Sequence, residues 1–136
     1  MSFLENGYLG KNIKMLKTCS ICGEIHDFNK FCKRKPTYKL TSESKFRKSY
    51  KWSEKSKQIR KRDKYLCQIC KSNRYNTINQ YNYIELEVHH IVPISEDYSL
   101  RIDDTNLITL CRYHHELAER NNISRKELSE IVKEKY

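Results

Sequence analysis

Glu85-Leu-Glu-Val-His-His-Ile-Val-Pro93 and Asn106-Leu-Ile-Thr-Leu-Cys-Arg-Tyr-His-His-Glu116 decide how this chain of 136 residues folds. In the first segment Ile84, Leu86 and Val88 alternate with Glu85 and Glu87, the period-two pattern of a half-buried strand, so His89 and His90 point to opposite sides. One can hold a metal while the other faces a substrate. Leu107 to Leu110 predicts a second short strand, and Tyr113 to Arg120 a helix, with good helix formers and no Pro or Gly. On that helix His115 and Glu119 share a face one turn apart, as do Cys111 and His114. The predicted order is strand, loop, strand, helix, with two metal faces.

Upstream stands Cys67-Gln-Ile-Cys70, about forty residues before Cys111 and His114. Cys67, Cys70, Cys111 and His114 together make a four-ligand structural zinc set that clasps the chain on both sides of the histidine-bearing hairpin. A closed set of four leaves no position for water, which assigns it to folding rather than catalysis. Between these ends, Lys71 to Tyr83 is polar and rich in Asn and Tyr, the composition of a surface loop.

These residues resemble the HNH endonucleases, whose core is a ββα-metal fold. The resemblance covers about Trp52 to Glu119, and its most specific parts are Arg62-Asp63, Cys67-Gln-Ile-Cys70, Val88-His-His-Ile-Val-Pro93 and Asn106-Leu-Ile-Thr-Leu-Cys111. It implies that His90 is the general base, that His89 and His115 are ligands of one catalytic divalent ion, and that Asn106 braces the loop between the strands. Two positions depart from the family pattern. Where members with two Cys-x-x-Cys pairs usually carry cysteine this chain has His114, and near the place of a frequent histidine or asparagine it has Glu119. Glu119 has two readings, an oxygen ligand of the catalytic ion or a solvated helix residue. The likeness is to phage- or bacterium-encoded members, some of which work beside DNA-packaging proteins. It thus implies DNA as partner and the cytoplasm of a bacterium or phage-infected host as location.

The chemistry calls for these residue types on its own terms. Phosphodiester hydrolysis needs an activated water, neutralised charge on the transition state and a stabilised leaving oxygen. A neutral histidine, with an ordinary pKa near 6.5, can take the proton of water at pH 7. A divalent ion held by His89 and His115 would polarise the phosphoryl group. Nitrogen ligands suit Mn2+, Ni2+ or Zn2+, and Mg2+ can serve where phosphate oxygens complete its shell.

Composition sets the wider frame. With 38% hydrophobic residues and a mean hydropathy of −0.88, a chain of this size has a limited core and is expected to need metals or cross-links. Six cysteines, four of them in Cys-x-x-Cys pairs, favour metal over disulfides in a reducing compartment. No early segment is apolar enough for a signal peptide or membrane span. A net charge of +10 suits a polyanion such as nucleic acid.

The charge is concentrated. From Lys30 to Lys64 fifteen Lys or Arg face three acids, so this quarter of the chain holds +12 and the remainder sums to −2. Lys45, Arg47, Lys48, Lys51, Lys57, Arg60 and Lys61 are its candidate phosphate contacts, with Tyr38, Phe46, Tyr50, Trp52 and Tyr65 interleaved. Six such contacts would give a log–log salt slope of about −5. Contacts of this kind position a duplex without reading its sequence. Pro36 and the Thr-Ser-Glu-Ser run predict a linker over 36–44, and Ser53 to Lys64 a helix capped by Ser53 with Trp52 and Ile59 inward.

Before this arm, Met1 to Lys17 predicts a loose start. Cys19-Ser-Ile-Cys22, His26 and Cys32 then place four ligand types within fourteen residues, the spacing of a zinc knuckle. Chance would more readily account for His26 than for the thiols. In the acidic loop, Glu96, Asp97, Asp103 and Asp104 read as solvated charges. Ser124-Arg-Lys-Glu127 predicts a capping box opening a last helix with Leu128, Ile131 and Val132 inward.

The expected architecture is therefore α+β: a small zinc-stabilised ββα-metal core with flanking helices. The expected organisation is an N-terminal knuckle-like module over 1–35, a basic arm over 36–51 and a nuclease domain over 52–136. The expected activity is metal-dependent cleavage of DNA. Two other readings use the same residues: a zinc-held DNA-binding module without catalysis, and an RNA-cleaving nuclease.

Overall fold

Among the described residues, a hairpin and five α-helices carry the larger part of this α+β chain. The computed structural model describes residues 15–34 and 39–136, and divides the chain into two compact units at Lys39 and Leu40. Of the loose start read over Met1 to Lys17, the first fourteen residues lie outside the described ones while Leu16 and Lys17 stand in a strand, and residues 36–38 of the linker read over 36–44 also lie outside them. Among the described residues no helix is long and apolar enough to cross a membrane.

In the first unit β1 (Leu16–Thr18) and β2 (Ile25–Asp27) pair antiparallel, with Lys17 opposite His26. Gly23 sits at φ +75°, a conformation a side chain would strain, and its N–H donates to the Cys19 carbonyl to close the turn.

The second unit opens with α1 (Ser42–Arg47), capped by the Thr41 hydroxyl, which begins inside the linker read over 36–44 and runs on into the basic arm. Next comes α2 (Tyr50–Arg62), which starts earlier than the sequence predicts because Ser49, rather than Ser53, accepts the free Trp52 N–H. The left-handed pair Lys64 and Tyr65 ends it. A short α3 (Gln68–Lys71) is capped by Cys67.

β3 (Leu86–His90) and β4 (Leu107–Cys111) form the second antiparallel hairpin, with His89 opposite Ile108 and His90 opposite Leu107. Ile84 was expected in this strand but is exposed. Glu85 turns to φ 50° and Asn82 accepts the Ile84 N–H, so the extended run begins only at Leu86. Then α4 (Arg112–Glu119) and α5 (Arg125–Lys133) complete the unit.

Every residue of β4 is buried, because both faces of the hairpin are covered. Ile108 and Leu110 pack with Cys67, Ile69, Ala118 and Leu128, while Leu107 packs with Val88, Ile59 and Trp52 on the other side. Each fully buried Leu or Ile contributes roughly 1.5–3 kcal/mol relative to exposure. Cross-strand partners share a face, so His89 lies on the side of Ile108 and His90 on the side of Leu107.

Asp63 locks α2 to this hairpin. Its carboxylate, 2% exposed, accepts the Thr109 N–H at 2.8 Å and pairs with Arg62 and Lys135 at 2.8 and 3.1 Å. Burial raises its pKa, but Arg62, the Thr109 N–H and Lys135 outweigh that and leave the carboxyl below its usual range. Arg62 also donates to the carbonyls of Asp104 and Leu107, tying the far end of the loop to α2.

Candidate active site

His89 leaves β3 toward α4. Its ring stands edge-on to that of His115, with centroids 5.1 Å apart, and its Nδ1 lies 3.5 Å from Glu119 Oε1. Ligand atoms of His89, His115 and Glu119 all fall within 4.8 Å of one another. His115 Nδ1 is 3.3 Å from Glu87 Oε2, and its Nε2 is 3.7 Å from Glu119 Oε1. A carboxylate on one ring nitrogen with the other turned toward a shared centre is how metal-bound histidines are held. His89 Nδ1 is buried without a hydrogen-bond partner. Such an orphaned nitrogen, and a donor set of two imidazoles and a carboxylate, fit a divalent ion. Burial, then the neighbouring His115 and His90, push the His89 pKa down to about 3, so the ring is neutral and ready to ligate at any ordinary pH.

His90 leaves the same strand on the other side. Its Nε2 lies 3.0 Å from the Arg101 carbonyl. A carbonyl only accepts, so Nε2 carries the proton and Nδ1 presents a lone pair. That Nδ1 is also buried and partnerless. Burial lowers the His90 pKa, opposed by the Arg101 carbonyl. Trp52 stacks on the ring and Phe46 meets it edge-on.

Asn106 fixes the loop that supplies this carbonyl. Its side-chain oxygen accepts the Val92 N–H at 2.7 Å, and its Nδ2 donates to the carbonyls of Val92 and Leu100 at 3.1 and 3.2 Å. Leu100 precedes Arg101, so the amide anchors the peptide against which His90 is set. His89, His90, His115, Glu119, Arg47 and Arg125 line a cleft of about 250 Å³.

On the opposite side of α4, Cys67, Cys70, Cys111 and His114 converge, all buried. His114 Nδ1 lies 3.4, 3.3 and 3.3 Å from the three sulfurs in that order, and Cys70 Sγ is 3.9 Å from Cys111 Sγ. A tetrahedron with metal–sulfur bonds of about 2.3 Å has edges of about 3.8 Å, so this cluster fits a metal without rearrangement. The Tyr75 carbonyl, 3.2 Å from His114 Nε2, holds the proton there and turns Nδ1 to the sulfurs. Burial lifts the Cys67 thiol to about 12, so a metal must displace its proton.

The family model for HNH endonuclease matches residues 67–120. This segment is an HNH domain. No curated protein and no solved structure matches the chain.

The HNH segment contains the two candidate metal-ligand clusters just described, His90 and Asn106. Trp52, Phe46, Arg62 and Asp63, which pack on it or pin it, precede it in the chain. The basic residues expected to meet phosphate also lie upstream of the HNH segment. Lys45, Arg47, Lys48, Lys51, Lys57 and Lys61 are exposed, Arg47 reaching the cleft while paired to Glu43 at 3.0 Å. Arg60 differs: it is half-buried and donates to the Leu86 carbonyl. The loop acids are all engaged. Glu96 pairs with Arg125, Asp104 with Lys55, and Asp97 and Asp103 cap turns.

Sequence reasoning did not find the role of Glu87 beside His115, nor that of Trp52 and the Arg101 carbonyl around His90. Strand alternation puts Glu87 on the face of His89, which was the available signal. A backbone acceptor leaves no trace in sequence.

In the first unit, Cys19, Cys22, His26 and Cys32 also bring their ligand atoms within 4.8 Å.

Proposed function

We propose that this chain is a metal-dependent endonuclease that hydrolyses phosphodiester bonds of DNA. The observation that carries the reading is the setting of His90: one nitrogen bound to the Arg101 carbonyl, the other free, beside the His89, His115 and Glu119 cluster in one cleft.

In this reading His90 Nδ1 takes the proton from water as it attacks phosphorus, and Nε2–H keeps its bond to Arg101 while charge develops on the ring. His89, His115 and Glu119 would hold one Mg2+, Mn2+ or Ni2+ ion, which supplies Lewis-acid stabilisation of charge on the phosphate and the leaving oxygen. Glu87 orients His115. Arg47 exchanges its partner Glu43 for a phosphate oxygen, and the exposed lysines of α1 and α2 follow the backbone. Cys67, Cys70, Cys111 and His114 would hold a structural Zn2+ that keeps α3 against β4 and α4.

The test is conversion of supercoiled plasmid by wild type and His90→Ala in low salt, with Mg2+, Mn2+ or Ni2+ added singly. Nicked or linear product from the wild type, reduced about 10²–10⁴-fold in His90→Ala, is the expected result. Plasmid retarded on a gel by both proteins but cut by neither would leave a binding module and remove the catalytic reading. Cleavage of RNA alone in a matched comparison would remove DNA as substrate.

A further inference from the structure

We propose that Cys19, Cys22, His26 and Cys32 form a second, separate zinc site that holds the first unit of the chain folded.

The hairpin delivers the ligands. Cys19 follows β1 directly, Cys22 lies in the turn, His26 is the middle residue of β2 and Cys32 is in the segment after it. The four ligand atoms lie within 4.8 Å of one another, and Cys22 Sγ is 2.9 Å from His26 Nε2. The Ile21 N–H points at Cys19 Sγ at 3.4 Å, a donor that suits a thiolate. Lys17, paired across the strands with His26, is drawn instead over the Phe28 ring, 4.9 Å from its centroid.

What surrounds these residues makes the metal necessary. Leu16, Ile21, Ile25, Phe28 and Phe31 are 64, 46, 67, 54 and 98% exposed, whereas Cys19 is 8% exposed. The apolar side chains of this unit are exposed, whereas Cys19 is buried and Cys22, His26 and Cys32 are half-buried, so the described residues of this unit hold no hydrophobic core. Two strands of three residues do not stand alone in water. Disulfides cannot replace the metal, because three cysteines leave one unpaired and His26 without a role. Three sulfurs and an imidazole are soft to borderline donors, which select zinc over Mg2+ or Ca2+. With all four positions taken by protein the site has no place for a substrate, and its role is structural.

The test uses the full chain and does not depend on cleavage. Apo protein is titrated with Co2+, whose thiolate charge-transfer band reports sulfur-ligated sites only, and zinc is then counted by competition. Two zinc ions in thiolate sites per wild-type chain are expected. Cys19→Ser should leave one, with the thermal unfolding of residues 40–136 unchanged. His26→Cys should keep both and strengthen the charge-transfer band, whereas His26→Ala should weaken binding at one site at least tenfold. In the zinc-loaded wild type Cys19, Cys22 and Cys32 should resist alkylation and become reactive when zinc is chelated. One thiolate-bound zinc per chain, with these three thiols alkylated at the rate of free cysteine, overturns the proposal. Unchanged affinity at both sites in His26→Ala removes His26 from it.

Discussion

Trp52 and His90 lie ring on ring, their centroids 4.7 Å apart with 27° between their planes. Two effects act on the histidine through this stack. The indole face favours an imidazolium by roughly 0.5–1 kcal/mol, less than one pKa unit. Its cover also strips water from the ring, and desolvation can move a buried histidine by several units downward. Burial is the largest cause of the lowered His90 pKa, and the stacked Trp52 ring is part of that cover.

Replacing Trp52 should therefore move the acid limb of cleavage upward. Trp52→Ala exposes His90, and the limb in kcat/KM against pH should shift toward 6.5, together with a fall in Tm. Trp52→Phe retains a ring and should shift the limb little, with cleavage within about tenfold of wild type, the size of a lost aromatic pair. An unmoved limb in the alanine variant would show that Trp52 only fills space.

For the wild type itself, the sign follows from the base being active when neutral. Its pKa lies below the ordinary 6.5, so activity should persist on lowering the pH past 6.5 and fall only beneath it. His89, at about 3, should not set that limb. A half-maximal point above 6.5 contradicts this assignment of the base.

Asn106→Ala leaves the Val92 and Leu100 carbonyls and the Val92 N–H without partners, at a cost of about 1–3 kcal/mol. The larger effect should appear in kcat, because the Arg101 carbonyl loses its support, while KM for DNA changes little. Asn106→Asp keeps only the acceptor and should cut no better than alanine. Equal loss in kcat and binding would point to a general collapse of the loop.

At Asp63 the prediction concerns stability. Its native pKa is depressed, so the carboxylate contributes stability that is fully present above the unfolded value and lost as pH falls through the lower folded value. Asp63→Asn should lower Tm at neutral pH and narrow the difference from wild type below about pH 3.8, near the ordinary value for an aspartate. A constant gap across that range would deny the ionic part of the network.

Much of this was legible in the chain because its signals are local. Alternation at Leu86 and Val88, ligand pairs with two residues between them and Ser124 before Arg125 each act within one turn or strand. The predicted capping box was half right for the same reason. Ser124 does accept the Glu127 N–H, but the Glu127 carboxylate is taken by Arg74 and the Tyr75 hydroxyl, partners some fifty residues away. Ile84 failed where Glu85 adopts a left-handed backbone that apolar patterning does not register. Trp52, expected as a core anchor, packs against Ile59 and Val88 but also covers His90, and only the folded chain brings those two functions together.

His114 and His115 are neighbours on α4, yet one faces the three sulfurs and the other faces His89. A helix of eight residues thus carries candidate ligands for two ions on opposite flanks. Any ion that fixes its rotation on one flank sets the donors on the other. With both sites filled, binding at one would be coupled to binding at the other, and thermodynamic reciprocity would require each ion to tighten the other by the same factor. Zinc starvation would on this account weaken cleavage before unfolding the protein, through a helix slightly misturned.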